Sequence, residues 1–139
     1  MAQRGYNSNL ASEFHVLSTL YRLGVDASLT LGNRKAVDIV VAYSRGDSAT
    51  VEVKAIAGKD DWLVGNVPVQ PKQRHFVVLV SYDNKIADPS FPPRCWIFRH
   101  EEVIPLIRTL GAVRYIRRRD VLDTAHTFEG RWSVLKESD

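Results

Sequence analysis

The stretch VDIVVAYSRGDSATVEVKAI, residues 37–56, decides the fold of this chain. Its two apolar runs are rich in β-branched residues, and the turn-forming tripeptide at residues 45–47 lies between them. This pattern is typical of an antiparallel hairpin. We therefore predict strands over residues 36–43 and 49–56.

Charged residues interrupt the apolar runs of this hairpin. Alternate side chains of a strand share a face, so Asp38 lies in an otherwise apolar row, and Glu52 emerges beside Lys54 on the next strand. If the strands pair through the turn, Asp38 and Glu52 converge on one edge of the sheet. Carboxylates that are close together repel each other. A divalent metal removes that conflict because Mg²⁺ prefers oxygen ligands, and the backbone carbonyl of Val53 can supply another oxygen.

A helix precedes the hairpin. The apolar residues at helical spacing are Leu10, Phe14, Leu17, Leu20 and Tyr21. They predict a helix over residues 8–23, capped by Asn7 or Ser8 and stopped by Gly24. On a helical wheel, Glu13 falls inside this apolar stripe. A carboxylate there needs a partner because desolvation is costly, and Glu13 can reach the hairpin site through a water.

The other elements follow from apolar runs and turn formers. The sequence predicts a strand at 27–31, an irregular excursion at 57–71, strands at 75–81 and 94–98, a helix at 101–110 that stops at Gly111, a helical segment at 120–125, and a closing segment with Trp132, Val134 and Leu135. The predicted order is αβββ-(loop or α)-β-β-α. We expect a single domain over residues 1–139.

Composition excludes several classes of protein. Hydrophobic residues make up 45% and charged residues 25% of the chain, which argues against a disordered, collagen-like or membrane protein. The N-terminus carries no secretory signal pattern, so we expect a cytoplasmic protein. Cys95 is the single cysteine, which excludes an internal disulfide and a multi-cysteine zinc site. The four histidines show no metal-like spacing, and no Walker loop or Gly-x-Ser-x-Gly elbow occurs.

The positive charge is concentrated in the C-terminal third. The net charge is +3, and six arginines lie between residues 99 and 119 against two glutamates. The run Arg117, Arg118 and Arg119 can bind a nucleic-acid backbone by counterion release, or it is a solvated face. The residues proposed to contact the phosphate near the site are Gln70, Lys72, Gln73 and Arg74, with ordinary loop polarity as the alternative. Trp62 either stacks on a base or anchors its loop.

The pairing of Val37-Asp38 with Glu52-Val53-Lys54, after Glu13 on a helix, resembles the PD-(D/E)XK nuclease superfamily over about residues 8–81. It is similar to small Holliday-junction resolvase-like and restriction-endonuclease-like members. The resemblance implies an α/β, restriction endonuclease-like fold, with a mixed β-sheet of about five strands flanked by helices. Val37 stands where the name-giving motif has proline, and no clear Gln-x-x-x-Tyr element follows Lys54.

The leading interpretation is a Mg²⁺-dependent DNA endonuclease, with Mn²⁺ as a substitute ion. Asp38, Glu52 and the Val53 carbonyl would bind the metal. Lys54 would orient the attacking water or stabilise charge, and Glu13 would be an auxiliary acid. The expected partners are DNA and either a second copy of the chain or a subunit that supplies specificity, with no membrane. The alternatives are a catalytically silent nucleic-acid-binding subunit of the same fold, or a protein-interaction domain whose carboxylates only balance arginines.

Overall fold

The computed structural model describes residues 2–30, 38–65 and 67–136. Its helices are α1 (Ala2–Arg22), α2 (His100–Val103), α3 (Arg118–Leu122), α4 (Ala125–Phe128) and α5 (Ser133–Lys136), with a 3-10 turn at Ile104–Leu106. Its strands are β1 (Asp26–Leu29), β2 (Ile39–Ala42), β3 (Ser48–Ile56), β4 (Trp62–Leu63), β5 (His75–Ser81), β6 (Arg94–Arg99), β7 (Ile107–Leu110) and β8 (Val113–Ile116). Val37, Ala36 and Leu31, which belong to the predicted motif and strands, lie outside the described residues.

A five-stranded mixed sheet forms the centre of the molecule. Its strand order is β1-β2-β3-β5-β6, and only the β3–β5 pair is parallel. The β2–β3 hairpin turns at Gly46, whose φ of 104° favours glycine. The chain is thus a mixed α/β protein with a five-stranded mixed sheet, as predicted. The element order agrees with the prediction as far as α2, except that the short strand β4 lies where a loop or helix was expected.

The central sheet separates two hydrophobic cores. The core on the α1 side contains Val16, Leu20, Val51, Val78 and Leu135. The core on the other side contains Trp62, Val77, Trp96, Phe98 and Ile116. Because both faces are covered, the residues of β5 are all buried. Leu135 lies in α5, so the predicted closing segment does pack onto the core.

Helix α1 differs from its prediction at the N-terminal end and on one face. It begins at Ala2, so neither Asn7 nor Ser8 caps it. The residues of its buried face recur at four-residue spacing: Ser8, Ser12, Val16 and Leu20. Phe14 and Tyr21 are 55% and 57% exposed, so the predicted apolar stripe was wrong for these two residues.

The C-terminal end of α1 is a Schellman motif, as the glycine predicted. Gly24 has a φ of 80°. Its N–H donates to the carbonyl of Tyr21 at 3.0 Å, and the N–H of Val25 donates to the carbonyl of Leu20 at 2.9 Å. The chain therefore leaves the helix at a defined angle and enters β1.

A second, three-stranded sheet takes up the C-terminal part of the predicted helix at 101–110, of which residues 101–103 are helical in α2. Its order is β4-β8-β7. The helical stretch stops at Val103, because Pro105 lacks an N–H and lies in a 3-10 turn. Gly111, with a φ of 61°, lies in the β7–β8 turn instead of stopping a helix.

The excursion at 57–71 contributes β4 to this small sheet. The face of the central sheet opposite α1 is therefore covered largely by strands and short helices. The segment predicted as helical at 120–125 overlaps α3 and reaches the start of α4. Among the described residues, no helix has the length and apolar character that a membrane span requires.

Candidate active site

Asp38 lies at the edge where β2 begins. Its N–H donates to the carbonyl of Val51 at 2.9 Å. Further along β3, the N–H of Val53 donates to Oδ2 of Asp38 at 2.7 Å. The side chain of Asp38 thus continues the hydrogen bonding between β2 and β3 beyond the Ile39–Val51 pair. The N–H and C=O of one residue in a strand point to the same side. The carbonyl of Val53 therefore faces the same edge as Asp38.

Glu13 of α1 meets Asp38 at this edge. The two carboxyl groups share a hydrogen bond. Burial, followed by the nearby charge of Asp38, raises the pKa of Glu13 to about 7. Burial also raises the pKa of Asp38, while the hydrogen bonds from Val53 and Glu13 lower it. The shared proton therefore resides on Glu13, and a carboxyl that titrates near neutrality suits proton transfer.

Glu52 is buried on β3, with 1% of its side chain exposed. Its Oε1 lies 2.9 Å from Nε2 of His75. Its Oε2 has no hydrogen-bond partner within the described part of the chain, and the nearest cation is Nζ of Lys54 at 4.0 Å. A buried carboxylate oxygen without a donor is costly. The site therefore favours a cation beside Oε2.

Lys54 connects these carboxylates to a cleft. Its ammonium is close enough to lower the pKa of both Glu13 and Asp38. The cleft has a volume of about 780 Å³ and lies between α1 and the end of β3. Asn9, Lys59 and Asp61 also line it. A substrate that enters this cleft would meet the amine of Lys54.

The arginine run lies near this cleft. The N–H of Arg118 donates to Oδ1 of Asp61 at 2.9 Å, and Asp61 lines the cleft. The Arg118 guanidinium is engaged, since its Nη2 lies 2.7 Å from Oδ1 of Asp83. Arg117 lies 3.6 Å from Asp120, and Arg119 is exposed. Arg117 and Arg119 are therefore better placed than Arg118 to contact a phosphate.

The segment at residues 70–74 precedes β5 and was proposed to contact phosphate. It lies at the opposite end of the central strands from the cleft. Its members Gln70, Lys72, Gln73 and Arg74 are all exposed. The parallel register sets Thr50 beside His75 and Lys54 beside Leu79, which separates this segment from the cleft. Arg74 pairs instead with Asp47 at 3.0 Å. The structure thus does not bring this segment together with Lys54.

His75 is the site residue that sequence reasoning missed. It opens β5, is buried, and contacts Glu52 through Nε2 and Thr50 through Nδ1, the latter at 2.6 Å from Oγ1. Thr50 and Glu52 occupy one row of β3. Only the parallel β3–β5 pairing brings His75 beside that row, and no local sequence pattern predicts this pairing.

The protein side chains alone do not form a complete metal cage. Within residues 8–30, 38–65 and 67–136, no three His, Cys, Asp or Glu side chains are grouped so that they could hold a metal ion. An ion here would depend on Asp38, Glu52, the Val53 carbonyl and oxygens from water or substrate. Mg²⁺ commonly binds through one or two carboxylates and keeps several waters, so this donor set fits it.

The chain was compared with family models, curated proteins and solved structures. No family model, curated protein or solved structure matches the chain. The functional argument therefore rests on the contacts of the described residues.

Glu13 makes the stability of the metal-free protein depend on pH. Its pKa rises from an ordinary 4.5 to about 7 on folding, so the folded chain keeps a proton that the unfolded chain releases. This contribution to stability is complete below pH 4.5 and is lost as the pH rises to about 7. We expect Glu13→Gln to reduce that loss, measured by urea denaturation in EDTA from about pH 5 to about pH 8.

The matched control is Glu101→Gln, at an exposed glutamate of α2. It should retain the pH dependence of the parent. An identical fall in stability for the parent, Glu13→Gln and Glu101→Gln would contradict the assignment of the shared proton to Glu13.

Proposed function

We propose that this protein is a Mg²⁺-dependent DNA endonuclease with a restriction endonuclease-like fold. One observation carries the proposal: Lys54 lines the cleft, and its Nζ lies 4.0 Å from Oε2 of Glu52. Between these two residues on β3, the N–H of Val53 donates to Asp38, and burial together with the charge of Asp38 raises the pKa of Glu13. Acidic oxygens beside a lysine suit metal-assisted hydrolysis of a phosphodiester. The parallel and antiparallel pairs of the five-stranded sheet agree with a mixed nuclease core.

The residues that would hold the metal are Asp38, Glu52 and the carbonyl of Val53. Among the described residues, Oε2 of Glu52 accepts no hydrogen bond, which supports this assignment because a bound cation would compensate it. Bound Mg²⁺ would polarise a phosphoryl oxygen and lower the pKa of a coordinated water. Mn²⁺ offers the same preference for oxygen ligands.

Lys54 and Glu13 supply the remaining chemistry in this proposal. The Lys54 ammonium reaches the cleft, where it would orient the attacking water and stabilise negative charge on the phosphate. In the metal-free protein Glu13 lies next to Asp38 with a pKa of about 7. It would exchange a proton with the site through a water as the leaving oxygen gains charge.

The preference for a nucleic acid is supported by charge. The sequence pI is about 9.2, and Arg117 and Arg119 lie near the cleft at positions that can meet a phosphate backbone. Contacts to phosphates position a protein on DNA but carry no sequence information. We therefore propose that the enzyme reads DNA structure, pairs with a second copy, or obtains specificity from another subunit.

The test is a cleavage assay with purified protein on supercoiled plasmid, four-way junctions, single-stranded DNA and RNA. We expect cleavage of DNA with Mg²⁺ or Mn²⁺ and none with EDTA. The absence of metal-dependent cleavage on every substrate would overturn the proposal. Salt-sensitive DNA binding without cleavage would instead favour the silent nucleic-acid-binding subunit.

A further inference from the structure

A hydrogen-bonded chain of three side chains runs through the core beside the proposed metal site. Oγ1 of Thr50 lies 2.6 Å from Nδ1 of His75, and Nε2 of His75 lies 2.9 Å from Oε1 of Glu52. The side chains of His75 and Glu52 are 0% and 1% exposed. Water therefore does not compete for the contact between His75 and Glu52.

The direction of each hydrogen bond follows from the chemistry of the groups. A carboxylate can only accept, so Nε2 of His75 donates to Glu52. The other nitrogen of a neutral imidazole is an acceptor, so Nδ1 accepts from the hydroxyl of Thr50. Glu52 thereby sets the tautomer of His75, and the hydroxyl of Thr50 satisfies the other ring nitrogen.

His100 holds the ring of His75 in place from the side. The two rings are 5.1 Å apart and inclined at 80°. His100 is itself fixed at both nitrogens, since Nδ1 accepts from the N–H of Lys72 at 2.9 Å and Nε2 donates to the carbonyl of Pro68 at 2.7 Å. The imidazole of His75 therefore has one defined orientation.

We propose that His75 is a positioning residue for the metal site. By binding Oε1 of Glu52, His75 fixes the carboxylate so that Oε2, which has no hydrogen-bond partner in the described part of the chain, is presented to the cation. This inference rests on the proposed function, because it assigns His75 to the same metal site. Groups that orient a metal ligand typically contribute about 10-fold to 100-fold in metal affinity.

The test compares two substitutions at position 75. His75→Leu removes the donor to Glu52, whereas the amide N–H of His75→Gln can replace it. We measure binding of Mn²⁺ alone by electron paramagnetic resonance, and metal-free stability by urea denaturation. His75→Leu should weaken Mn²⁺ binding by about 10-fold to 100-fold, and His75→Gln should recover most of that affinity. His15→Gln, on α1, should bind Mn²⁺ like the parent.

Two results would overturn the inference. The first leaves the proposed function in place, and the second overturns it as well. If the parent binds Mn²⁺ and His75→Leu binds it equally well, His75 is only structural and the proposed function stands. If the parent binds no Mn²⁺, both proposals fail.

A second variant covers the case in which His75→Leu does not fold. Thr50→Val removes only the hydroxyl that holds Nδ1 of His75, and the side chain of Thr50 is only partly buried. We expect weaker Mn²⁺ binding by Thr50→Val and parent-like binding by Thr50→Ser. Equal affinity in Thr50→Val and the parent would overturn the inference.

Discussion

The Asp38→Asn variant should cut DNA about 1,000-fold more slowly than the parent, since loss of a charged metal ligand costs several kcal/mol of transition-state stabilisation. The amide oxygen of asparagine can still accept from the N–H of Val53, which Oδ2 of Asp38 does at 2.7 Å. The edge of β3 should therefore stay ordered. The measurement is the single-turnover cleavage rate at saturating Mg²⁺, with circular dichroism to verify folding.

Asp26→Asn is the matched control for this substitution. Asp26 is an exposed aspartate at the start of β1, and its replacement makes the same change in charge outside the site. It should cleave DNA at the parental rate. Parental activity in Asp38→Asn would remove Asp38 from the mechanism.

We expect Trp62→Ala to lower the free energy of unfolding by about 3–5 kcal/mol. Trp62 is fully buried, packs edge-on to Trp96 at 5.7 Å, and donates from Nε1 to the carbonyl of Val80 at 3.1 Å. Its strand β4 joins the small sheet through Ile116 of β8. Trp62 therefore anchors its loop and is not available to stack on a base. Urea denaturation followed by circular dichroism measures the change.

The neighbouring residue provides the control. Leu63 lies on the same strand but is 70% exposed, so Leu63→Ala should change the unfolding free energy by no more than about 0.5 kcal/mol. Equal destabilisation by Leu63→Ala and Trp62→Ala would show that β4, and not the buried indole, determines the effect.

Local patterns predicted the strands that are long and apolar, and they failed where pairing between distant residues decides the structure. The hairpin and β5 were predictable because their turn and apolar run are contiguous in sequence. Residues 107–110 were predicted to end a helix that stops at Gly111, but Pro105 breaks the helix and β8 pairs with this stretch. The small sheet also needs β4, which is distant in sequence and only two residues long.

The same physical limit applies to the site. Strand alternation predicted that Asp38 and Glu52 approach each other, because both belong to one hairpin whose register is set by its turn. The helical wheel placed Glu13 inside the apolar stripe of α1. Burial raises the pKa of its carboxyl group, and Asp38 is close enough for its charge to raise that pKa further. His75 could not be predicted in this way, since it reaches Glu52 only through a parallel crossover across the excursion at 57–71.

The carboxylate of Asp38 has a structural contact in addition to its proposed role, because it accepts the backbone N–H of Val53. The atom that accepts this backbone N–H belongs to the group that would also bind the metal. A substitution at position 38 would therefore affect both the pairing of β3 and the proposed metal site. Most replacements lose both the negative charge and the acceptor for Val53, and only asparagine separates the two losses while keeping the size of the side chain.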